Sequence, residues 1–287
     1  MDTIHLGNVR IDRVVEFDQL SVPTTAMLPD ATEPDIAKHR EWMGPRLLDA
    51  QGEMRMHIQT YVIRTPEHTI LVDTGVGNNK PRPQRPAWDR YQGTYLDDLS
   101  QLGVQPESVD FVICTYLHID HVGWNTQFIN GQWVPTFPNA KYLFVGDEWE
   151  YWRSQHDSDA EAHAPIGDSV WPVVEAGLVQ LIDSNHVISD AVRFEPSPGH
   201  TPGHACLRLN TSEGDVVFAG DLMHRPVQVA VPQWSSMFCV DPAQSRATRQ
   251  AFMEQHADTG QPIIVAHFPE PGRIVRGGNS FQFEVGV

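Results

Sequence analysis

Short apolar runs rich in β-branched residues recur along the chain, each bordered by Gly, Pro, Asn or Asp, and they read as buried strands. They cover residues 9–16, 59–64, 69–73, 111–115, 141–145, 192–196, 205–209, 216–219 and 263–266. Helices are predicted between some of them, over 95–102 (closed by Gly103 as a C-cap), 146–154 and 170–176. A further helix opens on Asp241 as N-cap with Pro242 in its first turn and runs towards His256. Strands and helices thus alternate in two successive batches, which argues for a layered α/β fold rather than a sandwich or a bundle. Two stretches break the pattern. Residues 17–56 are irregular and carry Met27, Met43, Met54 and Met56, and residues 76–93 are rich in proline and arginine. Long segments of this kind serve as surface loops, lids or oligomer contacts, a homodimer contact among them.

A chain of 287 residues suffices for one large α/β domain, and the expectation is a single domain over 1–287 with the irregular extension or lid at about 17–56. Apolar residues at 40% and charged residues at 20% are ordinary for a globular protein. The charge is less ordinary: 20 basic against 37 acidic side chains give −17, which repels phosphate backbones and anionic lipid. Nucleic acid and membrane are therefore not expected as partners; a small molecule is. Cys114, Cys206 and Cys239 are odd in number and widely spaced, so no disulfide framework is expected and a reducing compartment is the simpler reading. Met1-Asp2-Thr3-Ile4-His5 lacks the basic and apolar regions of a secretory leader, and the expected location is cytoplasmic.

The histidines cluster where apolar strands end. The run Phe111-Val112-Ile113-Cys114 leads into Tyr116-Leu117-His118-Ile119-Asp120-His121. Ser197-Pro198-Gly199-His200-Thr201-Pro202-Gly203-His204 is a tight loop presenting two imidazoles. Val217-Phe218-Ala219-Gly220-Asp221 and Ile263-Ile264-Val265-Ala266-His267 are apolar strands ending in a ligand-type residue, and Leu71-Val72-Asp73 repeats the theme. Burying such groups without partners is costly, and a metal ion or a polar network relieves the cost. Imidazole and carboxylate together suit zinc and similar divalent metals. In open α/β sheets such strand tips border the functional crevice.

The order Asp-Thr-Gly, a His-x-Asp-His loop, Pro-Gly-His-Thr-Pro-Gly-His, Gly-Asp and a late His resembles the metallo-β-lactamase superfamily over roughly residues 57–270. The resemblance implies a four-layer αββα sandwich and a hydrolase holding one or two metals, usually zinc. Residue by residue it implies His118 and His200 at a first metal site, Asp120, His121 and His267 at a second, and Asp221 bridging them. It also implies that Asp73 and His204 support the ligands from behind. In layout the chain is most similar to the lactonase, arylesterase and methyl-parathion-hydrolase-like branch.

The chain departs from the family motif His-x-His-x-Asp-His at its first position, where Tyr116 stands. Three readings are open there: a phenolate ligand, a weak or empty first site with a single metal, or a hydroxyl that donates to a developing oxyanion. The single-metal reading leads, so one zinc ion is expected, with two ions and other divalent metals as alternatives. Asp120 and Tyr116 are the expected catalytic residues. Trp124, His224, Trp234 and Phe238 are expected around an apolar substrate pocket, although His224 reads rather more readily as an ordinary loop residue. The reaction implied is hydrolysis of an ester or lactone, the alternatives being phosphotriester or dehalogenating hydrolysis and a non-hydrolytic redox or binding role.

Overall fold

A computed structural model describes residues 3–20 and 22–286 of the chain. They divide into two compact units, one formed by residues up to 16 with 58–183, the other by 17–57 with 184 onwards. Both mix sheet and helix, as the α/β expectation requires.

The first unit is built on a seven-stranded sheet. Its strands, in spatial order, are Ile4–Leu6, Val9–Phe17, Ile58–Arg64, Thr69–Val72, Phe111–Ile113, Lys141–Val145 and Val179–Ile182. The last four run parallel to one another. Strands in a parallel sheet are covered on both faces, so they read as unbroken apolar runs. Val112, Ile113, Ile70 and Leu71 are accordingly all buried. The predicted strand at 111–115 stops at Ile113, short of the polar loop that carries His118, Asp120 and His121. The helix Tyr95–Gln101 ends before Gly103, whose φ of 77° is the left-handed value of a C-cap glycine. The helix at 146 runs on to Ser158, and a π-helical turn, Ile166–Val170, precedes the helix Trp171–Glu175.

The second unit carries another seven-stranded sheet, in order Val187–Ser189, Val192–Pro196, Ala205–Leu209, Val216–Phe218, Ile263–Ile264, Gly272–Gly277 and Ser280–Val285. Neighbours are antiparallel except Val216–Phe218 with Ile263–Ile264. The final hairpin, outside the predicted strands, alternates buried and open positions around Gly277 and Gly278, with the period of two that a half-covered strand shows. Asp241 caps the helix Pro242–His256 by accepting the Ala243 and Gln244 N–H groups, as its sequence predicts. The irregular stretch proves to hold short helices, Thr24–Met27, Glu33–Ala37 and Arg40–Leu47, whose Met27 and Met43 are buried. No helix among the described residues is long and apolar enough to cross a membrane.

Candidate metal centre

In the first unit the loop after Phe111–Ile113 is set by Asp73, a non-glycine residue at φ 54°. Left-handed backbone is tolerated by Asp better than by most residues. There the Asp73 carboxylate accepts the Thr115 N–H at 2.9 Å and the Thr115 hydroxyl at 2.9 and 3.0 Å. Its Oδ2 also lies 2.9 Å from His121 Nδ1. A carboxylate beside Nδ1 favours the proton there, which leaves the lone pair on Nε2, the tautomer a metal ligand needs. Asp120 Oδ1 lies 3.9 Å from that Nε2. The buried Tyr116 ring packs against both neighbours, 4.7 Å from the ring of His118 and 4.3 Å from that of His121.

Two glutamates that no sequence motif marks hold this loop. Buried Glu148 accepts the Leu117 N–H at 3.0 Å and the Trp152 indole N–H at 2.6 Å. Glu16 accepts the N–H groups of Val76 and Gly77 and, at 2.9 Å, the Trp124 indole N–H. Burial pushes the Glu16 carboxyl up to about 7. The backbone is tightest at Gly123, where a Cβ would lie 1.9 Å from the Val76 carbonyl carbon. Trp124 is one of the residues expected around the pocket. It is buried in the unit's hydrophobic core, stacked 4.9 Å from Tyr95, with its indole N–H committed to Glu16.

In the second unit, imidazoles converge on Asp221. Its Oδ2 lies 3.6 Å from His200 Nε2 and 3.1 Å from His224 Nε2, and its Oδ1 lies 3.0 Å from His267 Nε2. All four residues are buried. His204 stands behind the cluster. Its Nε2 accepts the Asp221 N–H at 3.0 Å, which leaves Nδ1 as the donor, 3.0 Å from the Ser197 carbonyl. Gly199 is required in the loop before it, at φ 127° with a Cβ position 2.2 Å from Ser245 N. Arg249, fully buried, donates to the carbonyls of Leu222 at 2.9 Å, Trp234 at 2.8 Å and Pro232 at 3.0 Å, and so fixes the segment carrying Asp221 and His224. No periodicity marks that arginine; its partners come from a distant turn.

Of the other expected pocket residues, Trp234 is buried, and the half-buried Phe238 ring lies 6.3 Å from that of His224. A cavity of about 390 Å³ in the second unit is lined by Gly199, Pro202, Val240, Asp241, Pro242 and Gln244, and by none of the expected pocket residues.

The donor chemistry fits a divalent cation. His267 Nδ1 donates to the His57 carbonyl at 2.7 Å, so its Nε2 lone pair faces the carboxylate oxygen 3.0 Å away. Two acceptors at that separation repel unless a proton or a metal ion lies between them. Protonating all three imidazoles would set three positive charges against one carboxylate in a buried place, whereas nitrogen- and oxygen-ligated cation binding satisfies the set.

The model of the Metallo-beta-lactamase superfamily matches residues 55–267. An N-acyl homoserine lactonase of a Bacillus species is 25% identical over 172 residues, 55% of this chain and 60% of that one, so the match spans about three fifths of the relative's length. Among solved structures, a hydrolase designated AbOPH of the beta-lactamase superfamily superposes with a TM-score of 0.81 at 23% identity, over 99% of this chain and 97% of the other. AidC, a dizinc quorum-quenching lactonase solved with a product, gives a TM-score of 0.76 at 20% identity, over 100% and 97%.

Proposed function

This chain belongs to the metallo-β-lactamase superfamily, and from that premise we propose that it is a zinc-type hydrolase that opens a lactone, or cleaves an equivalent carboxylic ester, of a small and largely apolar molecule. The observation that carries the reading is the convergence of three imidazole nitrogens on the buried Asp221 carboxylate within 3.0–3.6 Å. The lactonase relative supports the substrate class. The net charge of −17 supports a neutral substrate over a polyanionic one.

When bound, such an ion polarises the ester carbonyl and makes a water acidic enough to deliver hydroxide near neutral pH. The residues proposed as ligands are His118, Asp120 and His121 in the first unit and His200, Asp221 and His267 in the second. Asp73 keeps the lone pair of His121 on Nε2, and His204 fixes the Asp221 backbone. Asp120, at 13% exposure the more open carboxylate of its loop, orients the attacking water and takes its proton. The Tyr116 hydroxyl donates to the oxygen that gains charge as the carbonyl is attacked. Three free cysteines are in keeping with a reducing, cytoplasmic setting.

The test is a panel of N-acyl homoserine lactones, aryl esters and phosphotriesters assayed with the zinc-loaded protein. Lactone or ester turnover that disappears on chelation and returns with zinc is the expected result. Hydrolysis of phosphotriesters alone, or of nothing in the panel, overturns the substrate assignment.

A further inference from the structure

The sequence suggests a first metal site one imidazole short, because Tyr116 replaces a histidine of the family motif. We propose that His224 supplies a replacement nitrogen, so that His200, His224 and Asp221 form a metal-binding set and the chain holds two ions rather than one. The inference rests on the hydrolase reading for the type of ion only, not for the substrate.

His224 sits three residues beyond Asp221, and its Nε2 approaches the same carboxylate oxygen as His200 Nε2, at 3.1 Å against 3.6 Å. The candidate ligand atoms of the three residues all lie within 4.8 Å of one another. A tetrahedral zinc site with bonds of about 2.0 Å has ligand–ligand edges of about 3.3 Å, so the two observed separations bracket the value expected of ligands on one ion. The rings of His200 and His224 are 4.8 Å apart and inclined at 62°, so neither stacks on the other and hides its ligand edge.

The backbone that carries His224 is held by a built support. The His224 and Arg225 N–H groups both donate to Gln228 Oε1, at 2.7 and 3.0 Å. Gln228 Nε2 in turn donates to the Trp234 carbonyl at 2.9 Å, the same carbonyl that Arg249 binds. On the opposite side His200 Nδ1 faces the Cys239 sulfur at 3.6 Å, leaving Nε2 as its inward nitrogen. The Gln228 contacts fix the backbone from which the His224 ring reaches Asp221.

The competing roles fit less well. A histidine serving substrate would present a ring edge to solvent, and His224 is 2% exposed. A core histidine satisfied by a carboxylate would have Asp221 to itself, and here His200 and His267 contact the same group.

The experiment measures zinc per chain by elemental analysis after dialysis against metal-free buffer, for the unaltered protein, His224→Ala, His224→Asp and Tyr116→His. Cobalt titration followed in the visible range is run on each. Two ions are expected in the unaltered chain, one in His224→Ala with the second bound at least a hundredfold more weakly, and a return towards two in His224→Asp, which restores a donor. Two tightly held ions in His224→Ala overturn the proposal. So does a single ion in the unaltered chain that becomes two in Tyr116→His. Should His224→Ala not fold, the unaltered protein decides by nitrogen NMR: zinc must shift His224 Nε2 to a coordinated value, and an unmoved resonance overturns the proposal. A chain with two ions and no lactone turnover would sink the substrate assignment and leave this inference standing.

Discussion

Replacing Asp73 by Asn changes one atom of the side chain and separates its two duties. The carbonyl oxygen of the new amide keeps an acceptor for the Thr115 N–H and hydroxyl, which lie 2.9 and 3.0 Å from Oδ1. The amide nitrogen then takes the place of Oδ2 opposite His121 Nδ1, 2.9 Å away. If His121 keeps its proton on Nδ1, two donors face each other and the attraction of the carboxylate for that proton is lost. If the proton moves to Nε2, the amide can donate to Nδ1 but the lone pair for the metal disappears. Either route weakens metal binding, by about 10–100-fold on the precedent of such supporting groups, or about 1.4–2.7 kcal/mol. Asp73→Ala goes further, because it orphans the buried Thr115 N–H and places Ala at φ 54°. Each of these costs about 1–2 kcal/mol in the metal-free fold. Metal affinity by chelator competition and urea unfolding of the metal-free chain read the two effects apart. Asp73→Asn should lose affinity with little change in metal-free stability, and Asp73→Ala should lose both. Unchanged zinc affinity in Asp73→Asn would refute the assignment of His121 as a ligand oriented by Asp73.

Glu16 makes stability depend on pH. Its carboxyl titrates near 7 in the fold against 4.5 when unfolded, so between those values the native state binds more protons and stability falls as pH rises. The full window is worth up to about 3 kcal/mol. Urea unfolding at about pH 5 and about pH 7.5 should show that slope for the unaltered chain and its loss in Glu16→Gln; equal slopes would contradict the burial argument. Gly123→Ala should cost about 3 kcal/mol or more, since its Cβ would sit 1.9 Å from backbone carbon. Gly103→Ala, with nothing within 4 Å and only the left-handed backbone against it, should cost about 1 kcal/mol, and comparable losses for the two would show that the Gly123 loop yields.

Much of the site is legible in the order of residues alone. Strands buried on both faces must be continuously apolar, so runs such as Phe111–Ile113 and Val216–Phe218 declare themselves, and the ligand-type residues at their ends stand out against them. The backbone demands of Gly103 and Asp241 are equally local and are met where the residues indicate. The order of motifs carries the family, because ligand types and their spacing follow from the metal's preferences. Three things are not legible. Trp124 looks like a pocket residue beside the metal loop, yet its indole N–H binds Glu16, 108 positions away. Glu148 and Arg249 resemble ordinary charged helix residues until distant carbonyls and N–H groups close around them. His224 reads as a loop histidine, and only the turn whose backbone Gln228 and Arg249 fix brings its ring to Asp221. Apolar periodicity and turn chemistry determine which segments are buried and where they end. Which buried polar atoms meet depends on chain closure between remote segments, and that is decided by tertiary structure alone.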